Sequence, residues 1–250
     1  MCTILLAYQV VGNWPIIVGN NRDEYFSRLA IAPRIFTNGS SNRWIAPFDT
    51  QAGGGWWACS QKGLLVFLTN RWNGLPPDEG KISRGRLVYD LIQHDSPAVA
   101  RSWLLAADMS CYNPFNLLVF NASGGFMASN YPVFEEFPLS PGFHFIGNGC
   151  LGEERTPKSR MARRQFDRWR KGMVVADDIM LGFKRMLCTP LPQESIPPQG
   201  FNVRLDGYGT TSSTLLALSG LHRAEFFCLY AAGNPLRVPY RNYAVRALLC

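Results

Sequence analysis

The stretch MCTILLAYQVVGNWPIIVGNNRDEY, residues 1–25, decides the fold. Two apolar runs, TILLAYQVV and PIIVGN, flank a Gly12-Asn13 turn, which is the pattern of a β-hairpin. Because each run is apolar on consecutive residues, both strands are predicted to be buried on both faces, as in the interior of a sandwich. A chemical group at the start of this chain is therefore expected to sit on a rigid element.

Cys2 is the candidate chemical centre of this hairpin. Removal of Met1, which a small second residue permits, would leave a free α-amine and a thiol on one residue. The unperturbed pKa is about 7.7–8.0 for an α-amine and about 8.5 for a thiol, so the amine can accept the thiol proton near neutral pH. Such a residue can attack an amide or ester carbonyl. An apolar strand residue is the simpler alternative for a cysteine at this position.

The segment GNNRDE, residues 19–24, is predicted to lie just after the partner strand. The hairpin then returns Arg22, with Asp23 or Glu24, to a place beside residue 2. A buried acid–guanidinium pair there would hold the terminal amine and tune the thiol, or would only close the strand. Since an α-ammonium and a guanidinium both favour thiolate, we expect Cys2 to be the most reactive of the seven cysteines.

The rest of the chain reads as further hairpins separated by helices. Hairpins are predicted from GWWACS with LLVFLTN, from FNLLVFN with FMASNY, and from STLLALS with EFFCLYA, and GFHFIGN is predicted as a single strand. Helices are predicted for RGRLVYDLIQHD, for PAVARSWLLAAD with Ser96 as N-cap, after Thr156-Pro157, and over 177–188. LPQESIPPQG is predicted as a loop. This order indicates an α+β fold with mainly antiparallel sheets, in one domain over 1–250.

Composition restricts the ligand class. The formal net charge is +7, and only five of the 25 basic residues are lysines, a balance suited to carboxylate or phosphate ligands. We find no basic stripe with interleaved aromatics, so nucleic acid is not expected as a partner. No apolar run reaches the roughly 20 residues that span a bilayer, which leaves peripheral contact through the basic helix after Thr156 as the most that is expected of a membrane.

Other candidate motifs favour structural roles. The cysteines form no CxxC pair and the three histidines are scattered, so no metal site is predicted. The GGG run at 53–55 precedes a strand rather than a helix, which favours a turn or close packing over a phosphate loop. Ser212, Ser213 and Thr214 precede an apolar strand without a histidine at a recognisable spacing, so no serine nucleophile is predicted.

Seven blocks together resemble the NRDE family, also called the transport and Golgi organisation protein 2 family. They are MCTILLAY, GNNRDEYFSR, AGGGWWACSQKGLLVFLTN, SRGRLV, FNLLVF, the GNG around Asn148 followed by TPKS, and GYGTTSST. The blocks occur in order from residue 1 to about residue 230. The resemblance implies a four-layer αββα sandwich of antiparallel sheets, similar to the N-terminal-nucleophile hydrolases.

The resemblance also implies roles for individual residues. The N-terminal layout is similar to that of bile-salt hydrolases and penicillin V acylases, in which case Cys2 is the nucleophile, Arg22 and Asp23 organise it, and Asn70 is an oxyanion donor. The candidate ligand-binding residues are Glu24, Asn148, Arg71 and Trp56. The chain departs from the family pattern YGTRSST at Thr211, which removes an arginine from the expected rim of the pocket.

Two functions follow from these observations. The resemblance implies trafficking or chaperoning of haem and handling of acyl lipids, in the cytoplasm or, in a eukaryote, at mitochondria or the Golgi. We expect a pocket around Cys2 for an anionic apolar molecule such as haem, acyl-CoA or an acyl amide, with no required cofactor and haem only as cargo. The alternative is an amide hydrolase or acyltransferase that acts through Cys2 on non-peptide C–N bonds. At this stage the first is favoured, because a retained fold does not establish retained catalysis.

Overall fold

The computed structural model describes residues 2–39, 42–151, 156–172, 174–190, 200–220 and 226–243. Its contacts divide the chain into two compact units. The first unit comprises Met1–Ser27, Pro141–Gly147 and Gly152–Ala244, and the second comprises Arg28–Ser140, Asn148–Leu151 and Val245–Cys250. The single domain over 1–250 stays a prediction.

Strands and helices alternate along the chain in blocks. The strands are β1 (Cys2–Tyr8), β2 (Ile16–Tyr25), β3 (Ala30–Asn38), β4 (Asn42–Asp49), β5 (Trp57–Ser60), β6 (Leu65–Asn70), β7 (Phe115–Asn121), β8 (Gly124–Ser129), β9 (Glu135–Pro138), β10 (Gly142–Ile146), β11 (Tyr208–Leu218), β12 (Phe226–Ala231) and β13 (Arg241–Asn242). The helices are α1 (Arg84–Leu91), α2 (Pro97–Ala106), α3 (Pro157–Arg170) and α4 (Ala176–Leu187). These elements confirm the predicted α+β class.

The sheet of the first unit joins strands from both ends of the chain. Its order over the described residues is β10-β1-β2-β11-β12-β13, and every pair is antiparallel. The predicted first hairpin is confirmed as β1 and β2, and β11 pairs with β2 along nearly its whole length. The first strand therefore lies inside the sheet, between β10 and β2, and Cys2 pairs with β2.

Helices α3 and α4 cover one face of this sheet. Leu5, Ile17 and Leu215 on the strands form one apolar cluster with Phe166 of α3 and Phe183 of α4. Strand side chains alternate between faces, so this cluster occupies the odd-numbered positions of β1 and leaves Cys2 on the other face. At Gly19 of β2 an added Cβ would lie 3.2 Å from Phe183, which shows how closely α4 approaches the strand.

The second unit contains a regular antiparallel sheet with two helices. Its described strands follow sequence order, from β3 at one edge to β9 at the other, so neighbours in the chain are neighbours in the sheet. Leu87 and Val88 of α1 and Leu104 of α2 pack in one cluster with Val66 of β6 and Val119 of β7.

The predicted helix caps are present in both units. Ser96 accepts a hydrogen bond from the Val99 amide at 3.3 Å, and Thr156 of the first unit accepts one from the Ser159 amide at 3.2 Å.

The GGG run forms a close backbone contact, as predicted. Gly53 has a φ of +69°, a conformation that a glycine adopts without strain. The Gly55 amide donates to the Gly85 carbonyl at the start of α1 at 3.1 Å. A Cβ on Gly54 would stand 2.2 Å from the Gly85 carbonyl carbon. This connection thus packs against the backbone of α1.

Some predicted boundaries are wrong. GNNRDE does not follow the second strand but continues it, and β2 extends to Tyr25. The reason is that the side-chain amides of the buried asparagines find backbone acceptors inside the protein. Asn20 donates to the Thr3 carbonyl at 3.0 Å, and Asn21 donates to the carbonyl of Leu187, at the end of α4, at 3.0 Å. Pairing therefore does not stop at the first polar residue.

Several predictions fall wholly or partly outside the described residues. They concern Met1, Met173, nearly all of the loop LPQESIPPQG, Leu221, His222, Glu225 and Cys250. Among the helices that the structure describes, none is both long enough and apolar enough to span a membrane. In the same part of the chain, no group of three or more histidine, cysteine, aspartate or glutamate side chains is arranged to hold a metal ion.

Candidate active site

Cys2 is the first residue of β1, which pairs with β2 in the sheet of the first unit. It lies directly opposite Arg22 in the antiparallel register, and Arg22 in turn lies opposite Ser212 of β11. Directly opposed residues share a face of the sheet, so these three side chains form a row on the face away from α3 and α4. Cys2 is 9% exposed and Arg22 only 3%. The structure thus places Arg22 beside residue 2, as the sequence predicted.

Arg22 is held by Thr211 of β11. Its Nη1 donates to the Thr211 hydroxyl at 3.0 Å, and that hydroxyl donates to the Arg22 carbonyl at 3.2 Å. The register of β11 shifts between Thr210 and Ser212, and such an irregularity re-aims a side chain. Thr211 therefore acts as a clamp on the arginine.

Asp23 belongs to the opposite, helix-covered face. Its Oδ1 accepts a hydrogen bond from the Thr210 hydroxyl at 2.6 Å, and its Oδ2 lies 3.7 Å from Nζ of Lys158 on α3. Its backbone carbonyl accepts from the Tyr208 hydroxyl at 2.9 Å. The Asp23 side chain is fully buried. Alternation along β2 thus separates the two charges of the motif: Arg22 contacts Thr211, and Asp23 contacts Lys158.

Burial dominates the electrostatics of the thiol. It raises the pKa of Cys2, which the charge of the N-terminus lowers; Asp23 raises that pKa further, Arg22 lowers it and Glu24 raises it. In the chain that carries Met1, loss of solvation therefore outweighs the two positive charges that favour the thiolate. The expectation that Cys2 is the most reactive cysteine concerns the chain without Met1 and stays a prediction.

Burial also raises the pKa of two tyrosine phenols that interact with residues of this site. Burial raises the pKa of Tyr230 to about 12, against a hydrogen bond with Ser212 and the charge of Arg22. Burial also raises the pKa of Tyr208, with Asp23 and Cys2 adding to the effect. Both phenols consequently stay protonated near neutral pH. They offer hydrogen-bond donors rather than bases.

Glu24 ends the motif at the margin of the buried region. It is partly exposed, and its Oε1 accepts a hydrogen bond from the amide of Tyr25 at 3.0 Å. Its charge reaches the Cys2 thiol, whose pKa it raises. The predicted ligand-binding role of Glu24 stays a prediction.

The other predicted residues belong to the second unit, where three of them meet at the end of β6. The Asn148 side-chain amide donates to the Asn70 carbonyl, and the Trp72 amide donates to the Asn148 carbonyl at 2.8 Å. Arg71 is 8% exposed, and its Nη2 donates to the Cys150 sulfur at 2.7 Å. The structure therefore brings together Asn70, Arg71 and Asn148.

Trp56 lies apart from that group, just before β5. It is 5% exposed, and its carbonyl accepts a hydrogen bond from the Leu68 amide at 3.0 Å. The ligand-binding role of Trp56 stays a prediction, as do the oxyanion role of Asn70 and the ligand-binding roles of Arg71 and Asn148.

Sequence reasoning missed Lys158, Thr210 and Tyr208 as members of the site. Lys158 was grouped with the basic surface of the helix after Thr156, yet it is buried. Signals for these residues were present, because Lys158 lies in the TPKS block and the other two lie in GYGTTSST. Spacing alone did not connect them to Asp23, since they are far away along the chain.

The described strands and helices define an α+β fold with two antiparallel sheets and four helices. The chain belongs to the Transport and Golgi organisation 2 family, whose model matches residues 1–228. None of the curated proteins compared with the chain matches it.

Solved structures share the fold at low sequence identity. A Caenorhabditis elegans orthologue of N-acylethanolamine-hydrolyzing acid amidase is 14% identical, with a TM-score of 0.61 over 86% of this chain and 92% of that one. A cysteine-to-alanine mutant of conjugated bile acid hydrolase from Clostridium perfringens is 11% identical, with a TM-score of 0.57 over 100% of this chain and 94% of that one. These similarities confirm the predicted fold.

Proposed function

We propose that the chain is a cysteine amide hydrolase in which Cys2, once Met1 is removed, is both nucleophile and base. The observation that carries this proposal is the row in which the Cys2 thiol lies directly opposite a buried, clamped Arg22. Burying a guanidinium costs free energy that an apolar side chain would not. Fixed charges beside a buried thiol are characteristic of functional sites.

The reaction needs only the groups of residue 2 and water. The α-amine of Cys2 accepts the thiol proton, and the sulfur attacks the carbonyl carbon of the substrate amide. The C–N bond then breaks, the departing amine takes that proton, and a thioester remains on Cys2. Water attacks the thioester with the same α-amine as base, which releases the acid and restores the thiol.

The substrate class we propose is a linear amide of an apolar acyl group. Its support comes from the names of the two structural neighbours, one described as hydrolysing N-acylethanolamines and the other as a hydrolase of conjugated bile acids. The arginine-rich composition favours substrates or products that carry an anionic group. An N-acyl amino acid combines both features.

The second candidate is a carrier for an anionic apolar ligand such as haem or acyl-CoA. One observation favours it: in the chain that carries Met1, Cys2 is buried and its pKa is raised, which suits a pocket wall better than a nucleophile. A protein that keeps Met1 in cells would have this function rather than the first.

A single experiment separates the two candidates. Purified protein is incubated with N-acylethanolamines and N-acyl amino acids, and separately with haem, while released amine and haem absorbance are followed. The hydrolase proposal expects amine release that Cys2→Ala abolishes and that Cys59→Ala, which removes another buried thiol, leaves unchanged. Haem binding without amine release from any substrate would favour the carrier.

A further inference from the structure

Lys158 is a buried cation in an unfavourable place. It is the second residue of α3, its side chain is 10% exposed, and its Nζ lies 3.7 Å from Oδ2 of Asp23. The positive end of a helix dipole is at its N-terminus, so a lysine in the first turn is disfavoured there. Taking an ammonium group out of water adds a further cost in free energy.

The helix does not need this residue for its own stability. Thr156 caps its first turn and Pro157 occupies the first helical position, which together begin the helix without any charge. Other basic residues of α3, such as Arg164 and Arg168, are exposed to solvent. A buried ion pair can often be replaced by apolar side chains without loss of stability. Lys158 is thus better explained by its effect on Asp23 than by folding.

Asp23 connects Lys158 to the thiol. The Asp23 carboxylate is held on one side by the Thr210 hydroxyl at 2.6 Å and faces Lys158 on the other. Asp23 follows Arg22, the residue directly opposite Cys2. Besides burial, its charge and that of Glu24 raise the pKa of the Cys2 thiol, whereas the N-terminal charge and Arg22 lower it. Lys158 can therefore act on residue 2 by offsetting the charge of this carboxylate.

We propose that Lys158 is a positioning residue that offsets the charge of Asp23 and so keeps Cys2 reactive near neutral pH. This inference rests on the proposed function of Cys2 as a nucleophile. With the ammonium group gone, Lys158 no longer offsets the negative charge of Asp23, which disfavours the thiolate. The thiol then needs a higher pH to react.

The test follows alkylation of Cys2 by iodoacetamide across the pH range, in protein whose mass shows that Met1 is removed. Lys158→Met is expected to alkylate about tenfold more slowly at neutral pH, the change that a one-unit rise of the thiol pKa produces. Lys158→Arg, which keeps the charge, is expected to restore most of the rate. The exposed Cys150 is the reference thiol within each sample.

A double mutant shows whether Lys158 acts through Asp23. Adding Lys158→Met to Asp23→Asn is expected to change the Cys2 rate by less than about twofold, because the carboxylate charge is already absent. An unchanged or faster Cys2 rate in folded Lys158→Met, with Cys150 unaffected, would overturn the inference. Amide hydrolysis is measured separately, so an active enzyme without the pH shift would refute this role of Lys158 alone.

Discussion

At the residue scale, Arg22 and Asp23 are adjacent in the chain but make separate side-chain contacts on opposite faces of β2. The sequence pattern predicted that both residues lie beside Cys2 and form one charged pair. Alternation along β2 instead directs Arg22 to the Cys2 face and Asp23 to the helix face, where Thr210 and Lys158 meet it. The contacts of either residue can therefore be removed by mutation without removing those of the other.

Thr211 gives the first residue-scale prediction. Thr211→Val keeps the shape of the side chain but removes the hydroxyl that binds both the guanidinium and the carbonyl of Arg22. We expect the free energy of unfolding to fall by about 2 kcal/mol, since one of the two lost bonds involves a charged donor. Urea denaturation measures this loss, and Thr211→Ser is the control. Equal stability of the two variants would show that the hydroxyl does not hold Arg22.

The second residue-scale prediction concerns Met1 and the thiol. In protein that retains Met1, obtained by inhibiting methionine aminopeptidase in the expressing cells, Cys2 should alkylate more slowly than an exposed cysteine, because burial raises its pKa. Processed protein carries a new α-amine on residue 2 and should react faster. Peptide mapping after limiting iodoacetamide measures both rates. Fast labelling of Cys2 in the Met1 form would contradict the effect of burial.

At the element scale, hairpins and capped helices were predictable and irregular strands were not. β5 with β6, α2 after Ser96 and α3 after Thr156 follow local rules of apolar runs, turns and caps, and all three predictions are confirmed. Strands β3 and β4 were not predicted, because β3 is mostly exposed and the apolar run of β4 contains Pro47, which counts against a strand. The contact between Lys158 and Asp23 was also missed, because it depends on how α3 packs.

The approach of Gly54 to α1 gives the element-scale prediction. Gly54→Ala would place a Cβ 2.2 Å from the backbone of Gly85, which has no rotamer to move. We expect a loss of about 3 kcal/mol in the free energy of unfolding, at the upper end of overpacking effects. Gly124→Ala, where an added Cβ meets nothing within 4 Å, is the matched control for thermal or urea denaturation. Similar losses in both variants would argue against the close contact.

At the scale of the whole molecule, His94 couples stability to pH. Burial lowers the pKa of His94, although Asp90 and Asp95 oppose the shift. The unfolded chain, with an ordinary histidine pKa of about 6.5, then binds more protons than the folded protein as the pH falls. The contribution of His94 to stability is therefore present above that pH and is lost below it.

The corresponding prediction compares the wild type with His94→Gln in urea titrations at several pH values. Between about pH 7.5 and pH 5, the wild type should lose more free energy of unfolding than the variant, because only the wild type must protonate a partly buried imidazole. Parallel pH profiles, or a steeper loss in the variant, would mean that His94 titrates normally in the folded state.

The central claim is that Cys2 is an N-terminal nucleophile, and the most direct measurement is a search for its acyl intermediate. Processed protein is mixed with an N-acylethanolamine, quenched in acid within one turnover and digested for mass spectrometry. We predict a peptide that begins at Cys2 and carries the acyl group as a thioester, absent from Cys2→Ala. Amide cleavage with Met1 retained, or cleavage that persists in Cys2→Ala, would contradict the account.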